Sequence, residues 1–403
     1  MKTLKSLCRL PFVTASGEII ATPGFHEESE VYSHFEADAL PPLPDNPDRG
    51  QIVAAIKTAM QPWSGYRFAT PEDRAAMLAA IMTAVCRPAL ELAPGVFFDA
   101  PVQASGKTKA AGALGALMKG RRAGVTPYVS GQNAEAELLK KLVAVCVAGE
   151  TFMLFDNVVG TWRSAVLAAM ITEGQINERL LGANQWHRGA ARIMVCATGN
   201  NASLDLDLGR RFLRVRIDPG VECPQARSFT FDPVDAALAS RLAIAHAVLV
   251  LVTAYQAAGS PTLGRGDAGF ADWNRLVRRV VLWVQAEGYA EEAGFGPMGD
   301  PAHSIMEAAA ADDPETDAAR MLIQGLGETF HAECFTAREV YALYLSGRGE
   351  VFEALHAILG RRDISPVSVG RVLLNRRDKI VGGLVLRRVG ETRQGATWMV
   401  APG

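Results

Sequence analysis

Ser105-Gly106-Lys107-Thr108 follows the apolar run Val96-Phe97-Phe98 across Asp99-Ala100-Pro101-Val102-Gln103-Ala104. A strand, a tight loop and a helix start in that order bring backbone N–H groups and a helix N-terminus to one point, which suits a chain of phosphates. Ala104, Ser105, Gly106 and Lys107 would cradle the phosphates, the Lys107 ammonium would reach the terminal ones, and the Thr108 hydroxyl would hold magnesium. Pro101 stands where the usual pattern has its first glycine, and Ala104 where many have another. The rival reading is a chance Gly-Lys-Thr at a helix start; an apolar strand at the required distance argues against it.

Three later segments supply the remaining parts of nucleotide hydrolysis. Phe152-Met153-Leu154-Phe155 ends in Asp156, where a second magnesium ligand belongs. Asn157 replaces the Glu that commonly polarises the attacking water. The base therefore stays open: Glu150, Glu173 or Asp99 could act through fold geometry, or Asn157 could orient the water. A strand whose Asp caps a turn is the bland alternative. Ile193 to Ala197 leads into Thr198-Gly199-Asn200-Asn201. An amide at that strand end can hydrogen-bond water or a terminal phosphate, with Asn200 the first choice and Asn201 the reserve; a Gly-Asn-Asn turn is the rival. Asp207-Leu208-Gly209-Arg210-Arg211-Phe212 places two guanidiniums between a helix and a strand. In a ring, Arg210 or Arg211 could stabilise transition-state charge on a neighbour's phosphate, or either could pair with Asp205 or Asp207.

Two further groups suit nucleic acid. Trp186, His187 and Arg188 fall at a loop tip in this reading, fit for single-stranded DNA, although a packed Trp and a solvated Arg would look the same. Arg371, Arg376, Arg377 and Lys379 lie on or beside a basic helix, with Arg387, Arg388 and Arg393 on a following hairpin. Contacts to duplex phosphates explain them, and a solvated basic face would give the same pattern.

The elements that must position these residues alternate in kind. Strands are expected at Val96 to Phe98, Thr151 to Phe155, Arg192 to Ala197 and Leu213 to Ile217, with helices opening at Lys107 and spanning Ser164 to Thr172; this is the pattern of parallel βαβ units. Ahead of them, helices are expected over Arg49 to Met60 and Pro71 to Cys86, the second capped by Thr70. Residues 1–45 read as an arm with a hairpin over Val13 to Ile20 and a Pro-rich connector, 46–235 as the α/β core, and 236–289 as a helical extension interrupted at Gly259 to Gly269. Residues 290–316 read as an acidic linker. Helices over Asp317–Phe330, Thr336–Leu345, Glu350–Leu359 and Pro366–Arg377, then strands, make 317–403 a winged-helix arrangement.

Composition narrows the classes. A length of 403 residues predicts more than one domain. The longest apolar stretch, Leu242 to Ala258, contains His246, Thr253 and Gln256 and reads as a buried helix, so no membrane role is expected. Six scattered cysteines suggest neither disulfides nor zinc, and a cytoplasmic location is the default. The formal charge of −2 excludes a uniformly basic coat, but the charge is uneven. Glu287 to Asp317 carries nine acids and no Lys or Arg, whereas Arg361 to Arg393 carries nine bases against Asp363, Asp378 and Glu391.

The ordered set of Walker-type loop, Asp156-Asn157, Ala197-Thr198-Gly199-Asn200-Asn201 and Asp207-Leu208-Gly209-Arg210-Arg211 resembles the AAA+ ATPase core of replicative helicases from phages, plasmids and mobile elements, relatives of superfamily 3 and MCM-type helicases. The resemblance spans about residues 45 to 235. It implies an α/β P-loop ATPase core with a helical N-terminal base and a C-terminal winged helix. It further implies a hexameric ring on single-stranded DNA using ATP and Mg2+, and a replication partner protein. Lys107, Thr108 and Asp156 would stand at ATP and magnesium, Asn200 as first sensor, and Arg210 or Arg211 as finger. Priming activity is not carried over, because only about 45 residues precede the core. The other functional readings are a helicase loader of the same element, a remodelling ATPase that does not unwind, and a nucleotide-binding DNA scaffold with little hydrolysis.

Overall fold

The four apolar runs become neighbours in one parallel sheet. A computed structural model describes residues 4–179, 186–220, 230–264, 266, 268–310, 314–331, 333–360, 364–378, 380–381, 383–392 and 395–403. They divide into two compact units, 1–309 and 310–403.

In the first unit α1 (Arg49–Met60) and α2 (Pro71–Cys86) precede the sheet strand β1 (Gly95–Ala100). Then come α3 (Lys107–Lys119), β2 (Thr126–Pro127), α4 (Ala134–Val147), β3 (Phe152–Val158), α5 (Ala165–Glu173), β4 (Met194–Asn200), α6 (Leu206–Gly209) and β5 (Phe212–Arg216). The spatial order is β5-β1-β4-β3-β2, with every pair parallel. Parallel strands covered on both faces read as continuous apolar runs, and β1 is buried along its whole length. β2 carries no such run; a two-residue strand containing Pro127 is tolerated at the sheet edge, where a missing N–H costs little.

Local chemistry sets the helix starts. Asp48 with Gln51 and Thr70 with Asp73 form capping boxes on α1 and α2, while Ser164 and Asp205 cap α5 and α6. α2 is buried nearly all round, which makes it the centre of the helical layer. Trp63, fully buried, donates from its indole N–H to the Ala110 carbonyl at 3.0 Å and ties that layer to α3. Helices α7 (Pro233–Ala239) and α8 (Arg241–Ala257) follow, α7 against α3 and α8 against α1.

Two expected segments behave differently. Residues 12–20 form the expected hairpin, but the N-terminal region is built into the core rather than projecting as an arm: Leu10, Phe12, Val13 and Val31 are buried in it. Arg192 Nη1 holds the Ser29 and Pro88 carbonyls at 3.1 and 2.6 Å. Residues 290–309, read as linker from their acidity, also pack: Ala293, Met298, Ala302 and Ile305 are buried, and Asp300 receives two hydrogen bonds, at 2.8 and 2.5 Å, from the buried Arg278. Composition weighed the charges without seeing that one of them neutralises a buried guanidinium.

The second unit has helices Pro314–Phe330, Ala337–Leu345, Glu350–Leu359 and Pro366–Asn375. Its four-stranded antiparallel sheet is ordered Phe335–Thr336, Gly395–Pro402, Leu384–Thr392, Ile380–Val381. Leu322, Leu326, Phe335, Val369, Leu373 and Trp398 form its own core.

Candidate active site

The loop after β1 turns sharply because two of its residues adopt left-handed backbone conformations, Ala104 at φ 56° and Gly106 at φ 87°. At Gly106 a side chain would also be crowded, since an added Cβ would lie 3.0 Å from the Tyr66 ring. The Tyr66 hydroxyl donates to the Gly106 carbonyl at 3.0 Å, so the helical layer braces the loop. α3 begins immediately after Gly106 with no side-chain cap and no acid in its first turn, unlike α2 with Glu72 and Asp73. Its first N–H groups carry no side-chain cap, and its dipole favours an anion at that end.

Side chains from two adjacent strands, β3 and β4, and from the start of α3 meet there. Lys107 Nζ donates to Asn200 Oδ1 at 2.6 Å and to Ser105 Oγ at 2.9 Å, and the residue is 6% exposed. Burial pushes its ammonium below the usual lysine range, partly opposed by the charges of Asp99 and Asp156. The Thr108 hydroxyl donates to Asp156 Oδ1 at 2.8 Å, and the Thr198 hydroxyl donates to the same oxygen at 2.5 Å. Lys107, Thr108, Asp156 and Asn200 are thus brought together, at the C-terminal ends of β3 and β4 and the start of α3. Asn201 instead donates through Nδ2 to the Pro101 carbonyl at 3.2 Å and braces the loop. Thr198 and Tyr66 were not expected; a threonine two residues before the chosen Asn carries no signal of its own until the strands are paired.

Of the acids considered as bases, Glu150 and Asp99 are held in ion pairs and Glu173 is exposed. Glu150 precedes β3, at the end of the sheet away from Asp156, and pairs with Lys119 and Arg121. Glu173 ends α5, ahead of Gly174, where an added Cβ would lie 2.8 Å from the Glu91 carbonyl. Asp99, 1% exposed, accepts through Oδ2 from Arg214 at 2.9 Å and Arg216 at 3.0 Å.

Arg210 and Arg211 differ. Arg211 is held by Thr172 Oγ1 at 2.7 Å, Asp207 Oδ1 at 2.6 Å and the Asp207 carbonyl at 2.5 Å. Arg210 is exposed, with its Nε donating to the Ala308 carbonyl at 3.2 Å.

The nucleic-acid residues are placed as follows. Trp186, His187 and Arg188 begin the second strand of an antiparallel hairpin, Gln175–Arg179 with Trp186–Ala190, rather than a loop tip. The tip, 180–185, lies outside the described residues, as do Lys379 and Arg393. In the second unit Arg371, Arg377, Arg387 and Arg388 are exposed, with Arg377 paired to Asp378 and Arg388 to Glu391. Arg376 is not on that face: it is 7% exposed, and its guanidinium donates to the Val372 carbonyl. Helical phase turns it inward where sequence adjacency to Arg377 suggested a shared surface.

Among the described residues no cluster of His, Cys, Asp and Glu is large enough to hold a metal by itself, so a cation here would depend on Thr108, Asp156 and its substrate. No single described helix is long and apolar enough to cross a membrane; α7 and α8 meet the criterion only together, across a 75° bend.

No protein-family model matches the chain, and no curated protein matches its sequence. Among solved structures it is similar to the JCV helicase, with 16% identity over 62% of this chain and 73% of that one and a TM-score of 0.28. It is also similar to the NrS-1 C-terminal region, with 12% identity over 98% of this chain and 85% of that one and a TM-score of 0.36.

Proposed function

We propose that this chain is a magnesium-dependent ATPase of AAA+ type, related to superfamily 3 and MCM-like helicases, that assembles as a hexameric ring and translocates on single-stranded DNA to replicate a mobile element. The observation that carries this reading is the convergence of Lys107, Asn200, Thr108 and Asp156 in front of an uncapped helix. A buried lysine held by a neutral amide, rather than by a carboxylate, is poised to exchange that partner for phosphate oxygens.

In this reading Ala104 to Lys107 would bind the phosphates, and Thr108 with Asp156 would hold Mg2+, which would supply positive charge to offset that of the phosphates. The donor set fits that ion: a hydroxyl and a carboxylate converge at 2.8 Å. Asn200 orients the attacking water toward the terminal phosphorus; the water oxygen forms the new bond as the bond to the ADP oxygen breaks, and the water proton passes to an oxygen of the transferred phosphate. Arg210 is the finger and Arg211 its anchor, because Arg211 already makes three hydrogen bonds. Trp186, His187 and Arg188 contact single-stranded DNA. The unit from 317 is a winged helix that meets duplex DNA through Arg371, Arg377, Arg387, Arg388 and Lys379, and a cytoplasmic replication partner acts with the ring.

Steady-state ATP hydrolysis with and without single-stranded DNA, with Lys107→Ala as control, tests the reading. DNA-stimulated turnover lost in the variant is expected. Turnover without strand displacement on forked DNA would favour a remodelling ATPase, and absence of multiple-turnover phosphate release a DNA-binding scaffold.

A further inference from the structure

β3 and β4 fall out of register at the candidate site. Phe155 pairs with Ala197 and Val158 with Gly199, so Asp156 and Asn157 together face Thr198 alone. That is a β-bulge, which bends its strand and re-aims a side chain. The extra residue is Asn157, in the left-handed region at φ 61°. Its backbone N–H donates to Thr198 Oγ1 at 3.1 Å. The same hydroxyl, in a residue 2% exposed, spends its proton on Asp156 Oδ1 at 2.5 Å. Its orientation is therefore fully determined: it accepts from one neighbour and donates to the next. Asp156 Oδ1 receives both Thr198 and Thr108, while Oδ2 has no hydrogen-bond partner among the described residues and is the oxygen left for a cation. The Asn157 amide is exposed and likewise has no partner among the described residues.

We infer that Asn157 and Thr198 are positioning residues, and that Asn157 works through its backbone rather than its amide. A left-handed residue costs about 1–2 kcal/mol for most side chains and less for Asn. The missing acid beside Asp156 then has a conformational cause: the residue at 157 must turn the strand so that Asp156 Oδ1 meets Thr198 and Thr108. Bulge and hydroxyl act as one unit, because without the turn the Asn157 N–H could not reach the Thr198 oxygen. The inference rests on the proposed role of Asp156 as a magnesium ligand.

The test is Mg2+ titration of the binding of a fluorescent, non-hydrolysed ATP analogue to the full chain, together with thermal unfolding without nucleotide. Asn157→Ala and Thr198→Val should each raise the Mg2+ midpoint by about five- to tenfold, the effect of 1 kcal/mol or more on the geometry. Asn157→Gly, which accepts the left-handed turn, and Thr198→Ser, which keeps the hydroxyl, should stay within about twofold of the parent. Asn157→Ala should also melt below Asn157→Gly in the absence of nucleotide. Equal Mg2+ midpoints for the Gly and Ala variants, with turnover lost in both, would assign the effect to the amide and overturn the inference. If Asn157→Ala does not fold, Asn157→Gly decides: an unmoved midpoint with lost turnover overturns it, an unmoved midpoint with retained turnover supports it. A parent chain that binds no nucleotide overturns the proposed function itself, and the inference with it.

Discussion

Lys107 Nζ lies 2.6 Å from Asn200 Oδ1, so the two groups proposed to meet the terminal phosphate are hydrogen-bonded neighbours. A charge-assisted bond of this kind must be exchanged when phosphate arrives. Asn200→Ala should therefore leave ATP affinity unchanged or slightly tighter while lowering turnover. Asn200→Asp should weaken ATP binding about tenfold or more by pairing Lys107 with a full charge. Equilibrium binding and single-turnover hydrolysis of the two variants read these effects separately. Lys107→Ala should abolish hydrolysis with ring assembly retained, as sized by light scattering.

The lowered ionisation of Lys107 predicts a pH limit. Burial favours the neutral amine, so the protonated form needed for phosphate is lost at a lower pH than for a solvated lysine. ATP affinity of the folded protein should fall as pH rises through that lowered range. In Lys107→Arg the alkaline fall should move to higher pH, because guanidinium keeps its proton. For folding the sign is opposite: the unfolded chain binds the proton more tightly, so the Lys107 contribution to stability improves as pH rises between the lowered and the ordinary value. A binding profile that is flat across that range in the parent chain would refute the assignment.

Ala104 at φ 56° carries strain that a glycine would not. Ala104→Gly should stabilise the first unit by about 1 kcal/mol, visible as a higher thermal midpoint. The loop geometry should be kept, so ATP affinity should not fall.

The arginine pair should separate by readout. Arg211→Ala removes the bonds to Thr172 and Asp207 and should cost about 1 kcal/mol of stability, read by thermal unfolding. Arg210→Ala removes a solvent-exposed guanidinium and should leave the melting curve alone while lowering turnover on the order of a thousandfold, without loss of ATP binding. Unchanged turnover in both single variants and in the double variant would remove the finger assignment.

Duplex binding by the second unit should follow exposure rather than sequence adjacency. Arg371→Ala and Arg387→Ala should each weaken binding and reduce the slope of log affinity against log salt by about 1. Arg376→Ala should lower the melting temperature of the second unit, because its guanidinium is buried against Val372.

Much of the frame was readable from residue order. The bounds of α1 match the expected Arg49 to Met60 and those of α2 the expected Pro71 to Cys86, and capping boxes mark both starts. The four apolar runs became parallel strands because strands covered on both faces need uniform hydrophobicity, which is visible in one dimension. Lys107, Thr108, Asp156 and Asn200 were legible for a related reason: a residue at the C-terminal end of such a strand, or at the start of the helix after it, reaches the same end of the sheet. What the amino-acid order could not contain was pairing. The bulge that sets two residues of β3 against Thr198 exists only once β3 and β4 share a register. The pairing of Arg278 with Asp300 inside the segment read as a linker was not visible there, nor was the difference between Arg210 and Arg211, which turns on where Thr172 and Ala308 lie. Local propensity and periodicity act within a few residues and are written in the chain, whereas the partners of charged and hydroxyl groups lie far away in sequence and are decided by tertiary structure alone.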